Sequence, residues 1–566
     1  MTANPEEASA FEFESFRKEQ AKLAKAQEEM STADAAELAA FRAWRAQKQE
    51  QLPQQRGGGG GRQESQADQL IRMADAMYDF GISDGGDLYA VPQEGPRIAR
   101  LLRGGRISLR AELARMYYGL HNKAASSSAL ADAMLAIEGR AQAEDPVPLH
   151  LRVAPLGKRA EDGFVLDLGR ADGQVVTVTA RGWSVGPARR GQPLFRRSQL
   201  TQPLPIPQTG GSLLELRKLL NVTDDSWDLL VSWLVAGLMP DIPHPLLFLS
   251  GEQGTAKSTA TKMLVKLLDP SAAPARSTPK EPDDWATAAV GSWVVGLDNL
   301  SRIPEWLSDA MCRAATGDAN VKRTLYSDSD VTVQEFRRVL IVNGIDVGAL
   351  RGDLADRMIP VHLHRITQRR TETALWEAYD EAQPRILGAL LNLVVRALGA
   401  LSGVREQAER GEIPLPRMAD YGLVMAALDK VSGKETSILQ QYLQERTELA
   451  EEVVESDQVA MRLMQFIKEE PPVMATGVHE WEGTPAELLE KLTGALPGMV
   501  PEGWPRLPNA LSRRINRAAS DLDKLGLDIT KVKSGSVRSL VIRYTPRPVP
   551  ADQVPPPIPQ QQQLLE

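Results

Sequence analysis

The order of apolar and polar residues divides the chain into six predicted segments. Between residues 206 and 365, short apolar runs alternate with stretches of helical periodicity, a pattern typical of α/β domains. The predicted segments are 1–66, a helical arm with a glycine linker; 67–205, an α+β accessory domain; 206–365, an α/β domain; 366–455, a helical domain; 456–545, a compact module; and 546–566, a Pro- and Gln-rich tail that we expect to be disordered.

The accessory segment combines helical and β patterns. Residues 67–138 have mainly helical periodicity, with a predicted hairpin near residues 79–91. Residues 149–153, 163–168 and 175–179 are short β-rich runs separated by Gly and Asp turns. The sequence of this segment contains no carboxylate pattern typical of a primase or nuclease, so we assign no activity to it.

The compact module near the C-terminus has a pattern of two helices and a hairpin. The helices are predicted over residues 481–492 and 508–525, and the strands over 528–533 and 539–544, across a Ser-Gly-Ser turn. Two helices followed by a two-stranded wing predict a winged-helix domain. The second helix has apolar residues at helical spacing, which predicts a buried stripe of Leu511, Ile515, Ala518, Leu522 and Leu525.

The composition limits the classes of protein and partner. Hydrophobic residues make up 42% and charged residues 25% of the 566 residues, which is ordinary for a globular protein. The formal net charge of −8 provides no protein-wide positive field, so a nucleic-acid site would be a local basic patch. The single cysteine, Cys312, excludes an internal disulfide framework and fits a reducing compartment. The apolar runs are too short for membrane helices and the N-terminus lacks a signal-peptide pattern, so we predict a cytoplasmic protein without membrane contact.

A glycine-rich loop follows the apolar run at residues 246–249 and precedes a predicted helix. Strand, Gly-rich loop, Lys-Ser and helix form the context of a phosphate loop. Gly251 and Gly254 let backbone N–H groups turn towards phosphate oxygens, and the helix N-terminus adds a favourable dipole. Lys257 would reach the β- and γ-phosphates of ATP, and Ser258 would ligate Mg²⁺. The predicted nucleotide contacts are Gly251, Glu252, Gln253, Gly254, Thr255, Ala256, Lys257, Ser258 and Thr259.

One position of this loop departs from the usual pattern GxxxxGK[ST], which has glycine where this chain has Ala256. Alanine costs little if the residue is already helical, since only a positive φ would exclude it. We therefore expect Ala256 in a helical conformation. Replicative minichromosome-maintenance helicases also carry Ala before this Lys, so the departure resembles a known variant.

Three polar residues lie at the ends of later apolar runs. Asp298 follows the run 292–297 and would hold Mg²⁺ as a Walker B aspartate, with a strand-end turn residue as the alternative. Asn343 follows the run 338–342 and could orient the attacking water, although Asn-Gly is also a common turn. Arg357 precedes another apolar run. In an oligomer it could reach a neighbouring subunit's phosphates, or it forms a surface salt bridge.

This order of motifs resembles superfamily III helicases, and the viral and phage primase-helicases of the poxvirus type in particular. A TGD-containing segment at residues 315–326 resembles the family's motif before sensor 1. ATP-binding proteins of actinobacterial phages and mobile elements are also similar, with LDNLS, ATG, NGI and LADR in the same order, over about residues 67–545. The resemblance implies a hexameric AAA+ ring that acts on DNA during replication. The implied fold class is α/β, an AAA+-like P-loop NTPase core with an N-terminal α+β accessory domain and a C-terminal winged-helix domain.

Two features differ from this helicase pattern. An acidic residue usually follows the Walker B aspartate and polarises the attacking water, but this chain has Asn299, which cannot accept a proton. Glu252 and Glu305 are candidates for the base by position alone. The family's DNA-contacting hairpin should be basic; its first predicted strand carries Lys322 and Arg323, but the apparent turn at 327–330 is acidic.

The predicted winged helix supplies a local basic patch. Between Arg506 and Tyr544 the chain has nine Lys or Arg residues and three acidic ones. Such a patch can neutralise DNA phosphates while a helix face enters the major groove; a winged helix used for protein contacts is the alternative. The predicted DNA contacts are Arg513, Arg514, Arg517, Lys524, Lys531 and Lys533.

These patterns leave three functions open. The first is an ATP-hydrolysing, helicase-like motor that uses Mg²⁺ and acts on DNA in phage or mobile-element replication. The second is an initiator or loader that binds DNA with ATP and turns over little, which Asn299 favours. The third is an ATPase that remodels protein complexes. We expect a homo-oligomer that binds DNA. The predicted catalytic residues are Lys257, Asp298, Asn299, Asn343 and Arg357.

Overall fold

The structure, a computed structural model, describes most of the chain in ten stretches. These are residues 64–104, 108–323, 331–344, 352–366, 369–433, 436–473, 477–496, 500–501, 503–534 and 537–546. Within them, only the backbone is described at 318–323, 331–336, 533–534 and 537–538. Residues 1–63 of the predicted arm, residues 547–566 of the predicted tail, the acidic turn at 327–330 and residues 535–536 of the Ser-Gly-Ser turn lie outside these residues.

The chain divides into two compact units. The first takes in the described residues up to His150, Gly169–Val175 and Gly186–Arg197. The second takes in Leu151–Leu168, Val176–Val185 and the described residues from Ser198 onward. The six predicted segments are a finer division of the chain and stay a prediction.

The first unit contains three helices and a five-stranded sheet. Its elements are α1 (Gln66–Asp75), β1 (Tyr78–Ile82), β2 (Leu88–Pro92), β3 (Ile98–Leu101), α2 (Leu109–His121), α3 (Ser127–Ala141), β4 (Leu149–His150) and, later in the chain, β9 (Leu194–Arg196). The sheet order is β1-β2-β3-β9-β4. Strands β1 and β2 confirm the hairpin predicted near residues 79–91.

A second sheet follows β4. It has four strands in sequential order: β5 (Val153–Pro155), β6 (Phe164–Asp167), β7 (Gln174–Thr179) and β8 (Gly182–Pro187). Gly163 precedes β6 with a φ of 91°, and a Cβ there would lie 2.1 Å from the Val178 carbonyl oxygen. Glycine is therefore required for β6 to approach β7. Strands β6 and β7 confirm two of the three predicted β-rich runs, whereas the run predicted at 149–153 is divided between β4 and β5.

A parallel sheet forms the centre of the second unit. The strands of this sheet and the elements before and between them are, in chain order, α4 (Leu213–Arg217), α5 (Asp224–Ala236), β10 (Leu246–Ser250), α6 (Lys257–Leu268), α7 (Pro282–Gly291), β11 (Val294–Leu297), α8 (Glu305–Thr316), β12 (Asp318–Arg323), β13 (Val331–Phe336), β14 (Val339–Asn343), α9 (Gly352–Ala355) and β15 (Met358–His362). The strand order is β11-β14-β10-β15, with all neighbours parallel. The antiparallel pair β12–β13 stands apart from this sheet.

Strand β10 is buried on both of its faces. Leu247 and Leu249 pack into one hydrophobic cluster, whereas Leu246 and Phe248 pack into another. A strand covered on both sides has a continuous apolar sequence rather than an alternating one, which is why the run was recognisable. The sheet confirms the α/β pattern predicted for this part of the chain.

Three helices follow the parallel sheet: α10 (Glu372–Glu409), α11 (Ala419–Ser432) and α12 (Ile438–Ser456). Of the helices described, α10 is long and apolar enough to cross a membrane, and half of its most apolar stretch is buried inside the protein. Its Tyr379 hydroxyl donates to the Met263 carbonyl at 2.8 Å, and Gln383 donates to the Lys266 carbonyl at 2.7 Å. The buried apolar residues of α10, among them Ile386, Leu390 and Val394, belong to a hydrophobic cluster that they share with residues of α5 and α11, so packing inside the protein accounts for them.

The remaining elements form a compact C-terminal module. They are α13 (Gln458–Glu469), β16 (His479–Gly483), α14 (Pro485–Gly494), α15 (Pro508–Lys524), β17 (Leu527–Ser534) and β18 (Val537–Tyr544), with the sheet order β16-β18-β17. The predicted hairpin is confirmed as β17 and β18. Leu511, Ile515 and Leu522 of α15 are buried in the module's core, as the stripe predicts.

The start of the helix predicted at 481–492 is wrong. Trp481 lies in β16, where it pairs with Ile542 of β18. The helix begins only at Pro485, because Thr484 caps it: the Thr484 hydroxyl accepts from the Glu487 N–H, and the Glu487 carboxylate accepts from the Thr484 N–H. This capping box separates the strand from the helix.

Candidate nucleotide-binding site

The loop between β10 and α6 turns sharply at its two glycines. Gly251 has a φ of 145° and Gly254 a φ of 87°, both in the region that favours glycine. A Cβ on Gly251 would lie 2.9 Å from the Leu363 carbonyl oxygen, so this position also needs glycine for space. Residues 251–254 are exposed, and the helix that follows points its N-terminus at the loop. The predicted phosphate loop thus lies at the surface, at the carboxyl end of a buried strand.

The backbone at Ala256 differs from our expectation. Ala256 is the N-cap of α6 and adopts a left-handed conformation, with φ 58° and ψ 35°. The premise that alanine is tolerated there because the residue is already helical is therefore wrong. A left-handed alanine costs roughly 1–2 kcal/mol relative to a right-handed one. The loop stores this strain at the residue directly before Lys257.

The Lys257 ammonium lies over the loop. Its Nζ donates to the carbonyl oxygens of Gly251 at 2.7 Å and Glu252 at 3.0 Å. These contacts hold the positive charge at the concave side of the turn, where phosphate oxygens would be received. The loop itself is braced by Thr255, whose hydroxyl donates to the Glu252 carbonyl at 3.0 Å.

Ser258 and Asp298 lie in direct contact. The Ser258 hydroxyl donates to the Asp298 carboxylate at 2.8 Å, across 40 positions of sequence. Ser258 is in the first turn of α6, and Asp298 follows β11 at the carboxyl edge of the sheet. A hydroxyl and a carboxylate side by side are oxygen ligands of the kind that Mg²⁺ binds together with phosphate oxygens.

Asn343 joins the phosphate-loop helix to the turn after β11. Its side chain is 2% exposed; its amide nitrogen donates to the Thr261 hydroxyl at 2.8 Å, and its amide oxygen accepts from the Asn299 N–H at 2.9 Å. The Asn343 carbonyl also accepts from the Leu300 N–H at 2.9 Å. Asn343 therefore fixes the backbone next to Asp298. The orientation of an attacking water by Asn343 stays a prediction.

The turn at Asn299 explains why an amide side chain is tolerated there. Asn299 has a φ of 56°, a conformation that Asn and Asp adopt more readily than other residues with a side chain. The turn is also crowded, since a Cβ on Gly344 would lie 2.8 Å from the Asn299 Cα. The Asn299 side chain itself is exposed.

Arg357 is held within its own segment. Its guanidinium contacts the Asp353 carboxylate at 2.6 Å and donates to the Asp353 carbonyl at 2.7 Å, and its side chain is only 13% exposed. Burial raises the pKa of Asp353, but the hydrogen bond from Arg357 and the positive charges of Arg357 and Arg417 together outweigh it, so the pKa is lowered overall. Arg357 would have to leave Asp353 to reach another subunit.

Two residues near the loop were missed by the sequence analysis. Arg369 is exposed, and a Cβ on Gly254 would lie 3.9 Å from its Nη2 atom. His362 ends β15, and its Nδ1 is 2.7 Å from the Ser250 hydroxyl. A hydrogen bond with Glu445 raises the pKa of His362. The basic run from His362 to Arg370 could have pointed to Arg369, but nothing in the sequence indicates that it folds back over the loop.

The predicted DNA contacts of α15 differ in exposure. Arg513 and Arg517 are both exposed, with Arg517 at 3.9 Å from Glu305, whereas Arg514 is half-buried and pairs with Asp457 at 3.2 Å. Lys524 is different: its ammonium bonds to the buried carboxylates of Asp356 and Asp521. Lys524 is therefore not available to contact DNA, and we remove it from the predicted DNA contacts. On β17, Lys531 is exposed, and the Lys533 side chain lies outside the described residues.

Two family models match the chain. Residues 212–451 match the model described as "Actinomycete integrative conjugative element replication protein", AICE RepA. Residues 459–554 match the AICE RepA C-terminal domain. Over these ranges the chain is similar to the AICE RepA replication proteins. The first range contains the phosphate loop, Asp298, Asn343 and Arg357, and the second contains α15. The family description agrees with the predicted similarity to mobile-element proteins.

Solved structures give weaker likenesses. The chain is 13% identical to SCCmec type IV Cch, an active helicase, with 82% of this chain and 93% of that one covered and a TM-score of 0.41. It is 12% identical to the C-terminal region of NrS-1, with coverages of 85% and 99% and a TM-score of 0.34. These TM-scores are too low to establish a common fold. No curated protein matches the chain.

Proposed function

We propose that this protein is an ATP-hydrolysing, helicase-like motor that acts on DNA in the replication of an integrative conjugative element. The observation that carries the proposal is the contact of Ser258 with Asp298, beside the Lys257 ammonium at the carboxyl edge of a parallel sheet. The match to the AICE RepA replication proteins supports the biological setting.

The strand order supports an AAA+-like core. Strand β14 lies between the phosphate-loop strand β10 and the strand β11 that leads to Asp298. In AAA+ ATPases a strand likewise separates the Walker A and Walker B strands, and a polar residue ends that strand. Asn343 occupies this place at the end of β14. An AAA+ core would assemble into an oligomer, and a hexameric ring belongs to the proposal.

The donor atoms present fit a Mg²⁺–nucleotide. Ser258 and Asp298 would hold the ion, which supplies charge compensation for the phosphates when bound. The N–H groups of the loop and the Lys257 ammonium would bind the phosphate oxygens, as the concave backbone at Gly251 and Gly254 favours. Among the described residues no cluster of three or more His, Cys, Asp or Glu side chains could hold a separate metal.

Proton transfer from the attacking water lacks an obvious acceptor. Asn299 cannot take the proton, and its exposed side chain could only donate or accept a hydrogen bond. Glu252 and Glu305 are both exposed, so neither is held in a fixed position by burial. We therefore propose slow hydrolysis. In an oligomer, Arg357 would stabilise the developing charge on the phosphates of the next subunit.

The C-terminal module fits a winged helix that binds DNA. Its order of helix, strand, helix, helix and two strands, with β16 against β18, is that of winged-helix domains. The exposed Arg513 on α15 and Lys531 on β17 would contact phosphates, with α15 as the helix that enters the major groove. We propose this surface as the DNA-binding site.

One observation favours a second function. Asn299 stands where superfamily III helicases usually have an acidic residue. The turn there is left-handed, with a φ of 56°, a conformation that asparagine adopts more readily than most residues. A protein built in this way could bind ATP, assemble on DNA and turn over little. The alternative is therefore an ATP-dependent initiator or loader.

ATP turnover of the full chain with no DNA, with single strands and with duplex separates the two functions. Turnover that DNA stimulates supports the motor, whereas tight ATP binding with negligible turnover in every condition supports the initiator or loader.

DNA binding is tested by the double variant Arg513→Ala and Lys531→Ala. We expect the slope of the logarithm of the binding constant against the logarithm of the salt concentration to become shallower by about 2. Arg410→Ala, at a residue that pairs with Glu412, is the control. Equal salt dependence of DNA binding in the wild type and the double variant would reject the surface at Arg513 and Lys531 as the DNA-binding site.

A further inference from the structure

The carboxylate of Asp356 is one of the most completely enclosed charges in the described part of the chain, with 1% of its side chain exposed. Arg446 of α12 donates to it at 3.1 Å, and Ser520 of α15 donates to it at 2.6 Å. Lys524 of α15 also bonds to it. Burial raises the pKa of Asp356, but the hydrogen bonds from Lys524 and Ser520 and the positive charges of Lys524 and Arg446 together outweigh it and lower the pKa to about 2.

Arg417 connects Asp356 to the residue that holds Arg357. One Arg417 nitrogen lies 3.0 Å from the Asp356 carboxylate, and the other lies 2.9 Å from the Asp353 carboxylate. Asp353 in turn contacts Arg357 at 2.6 Å. A continuous series of charged contacts therefore runs from Lys524 through Asp356, Arg417 and Asp353 to Arg357.

The start of this series lies on the same face of α15 as the proposed DNA contacts. Arg513, Arg517, Ser520 and Lys524 recur at spacings of three and four residues, which places them on one side of the helix. The N-terminal half of that face is exposed at Arg513, and the C-terminal half is docked on Asp356. A shift of α15 would therefore act directly on the Asp356 carboxylate.

We infer that Asp356 is a positioning residue through which α15 of the C-terminal module sets the position of Arg357. This inference rests on the proposed role of Arg357 in ATP hydrolysis. The carboxylate is shared among several donors and cannot be solvated, so the loss of one donor shifts the others. Arg417 bonds to both Asp353 and Asp356, so a shift of Arg417 moves the Asp353 carboxylate and changes its ion pair with Arg357. DNA held at Arg513 would thus bias ATP turnover without contacting the nucleotide.

Lys524→Met tests the inference in the full chain, because it removes the ammonium and keeps a side chain of similar length. Two readouts are needed: hydrogen exchange of the backbone at residues 352–362 without nucleotide, and ATP turnover at saturating ATP. We expect exchange in this segment to rise and turnover to fall, each by about two- to tenfold, with ATP affinity unchanged. Lys524→Arg should restore both values.

Asp523→Asn is the matched control, since Asp523 is an exposed acid on the same helix. Folded Lys524→Met protein with exchange at 352–362 equal to that of the control would overturn the inference. If Lys524→Met does not fold, Ser520→Ala removes only the 2.6 Å hydrogen bond to Asp356 and is expected to raise the same exchange. Unchanged exchange in that variant would overturn the inference as well.

The two proposals fail in different ways. If Lys524→Met raises exchange at 352–362 but the wild type hydrolyses no ATP, the coupling stands and the motor is rejected. If the wild type hydrolyses ATP, Lys257→Ala does not, and Lys524→Met changes neither readout, the ATP site stands and the coupling is rejected.

Discussion

The Ser258 hydroxyl donates a 2.8 Å hydrogen bond to the Asp298 carboxylate, although the two residues are 40 positions apart in the sequence. Ser258 lies in the first turn of the helix after the glycine-rich loop, and Asp298 directly follows the strand β11. The contact brings together the two residues that would hold a nucleotide-bound cation. It exists because β11, β14 and β10 run parallel, so that their carboxyl ends share one edge of the sheet.

Ala256→Gly should stabilise the protein. Ala256 has a φ of 58°, which glycine adopts without steric cost. We expect the free energy of unfolding to rise by about 0.5–1 kcal/mol, since the relief of strain exceeds the entropy that glycine adds to the unfolded chain. Urea unfolding of the nucleotide-free protein measures the change.

The control for this prediction is Ala260→Gly on the same helix. Ala260 is buried in the right-handed body of α6, where glycine should instead cost about 1 kcal/mol. Destabilisation by Ala256→Gly equal to that by Ala260→Gly would show that Ala256 is not strained in solution.

The sequence predicts the residues of the candidate nucleotide-binding site, but it does not predict the backbone strain at Ala256 or the contacts of Lys524. The strand before the loop, Lys257 and Ser258 follow from a local pattern, and the apolar run before Asp298 is recognisable because a doubly covered strand is apolar throughout. The left-handed backbone at Ala256 is set by the path from β10 to α6, which no local propensity encodes. The docking of Lys524 on Asp356 joins residues 168 positions apart, and spacing on α15 alone favours solvent exposure.

Asn299→Asp should increase ATP turnover. Aspartate can accept a proton from the attacking water, and it tolerates the positive φ at this turn. We expect roughly a tenfold rise in kcat with little change in ATP affinity. Phosphate release at saturating ATP measures it, with Asn299→Gly as a control that keeps the turn and adds no carboxylate. A rate for Asn299→Asp no higher than that of the control would place the base elsewhere.

Arg369→Ala should weaken ATP binding, because the Arg369 guanidinium lies over the loop near Gly254. A lost charge-assisted contact to phosphate corresponds to about a tenfold loss of affinity. Calorimetric titration with ATP and with adenosine separates phosphate from base contacts, and only ATP should be affected. The neighbouring exposed Arg370→Ala is the matched control. Equal losses in both variants would indicate a general effect of charge.

His362 should make the stability of the protein depend on pH. The hydrogen bond with Glu445 raises the pKa of His362 above its unfolded value of about 6.5. The stabilisation is therefore complete below about pH 6.5 and is lost as the pH rises through the raised pKa of the folded state. The difference in unfolding free energy between the wild type and His362→Gln should be larger at pH 6 than at pH 9. A difference that is constant over this range, or that grows with pH, would argue against the contact with Glu445.

The central claim is that Lys257 and the loop around it bind the phosphates of ATP. Equilibrium binding of ATP to Lys257→Ala tests it most directly, with Lys262→Ala on the same helix as the control for a lost positive charge. Removal of a charge that pairs with the phosphates should lower the affinity about a hundredfold or more, while the control stays near the wild type. An affinity of Lys257→Ala equal to that of the wild type would contradict the account.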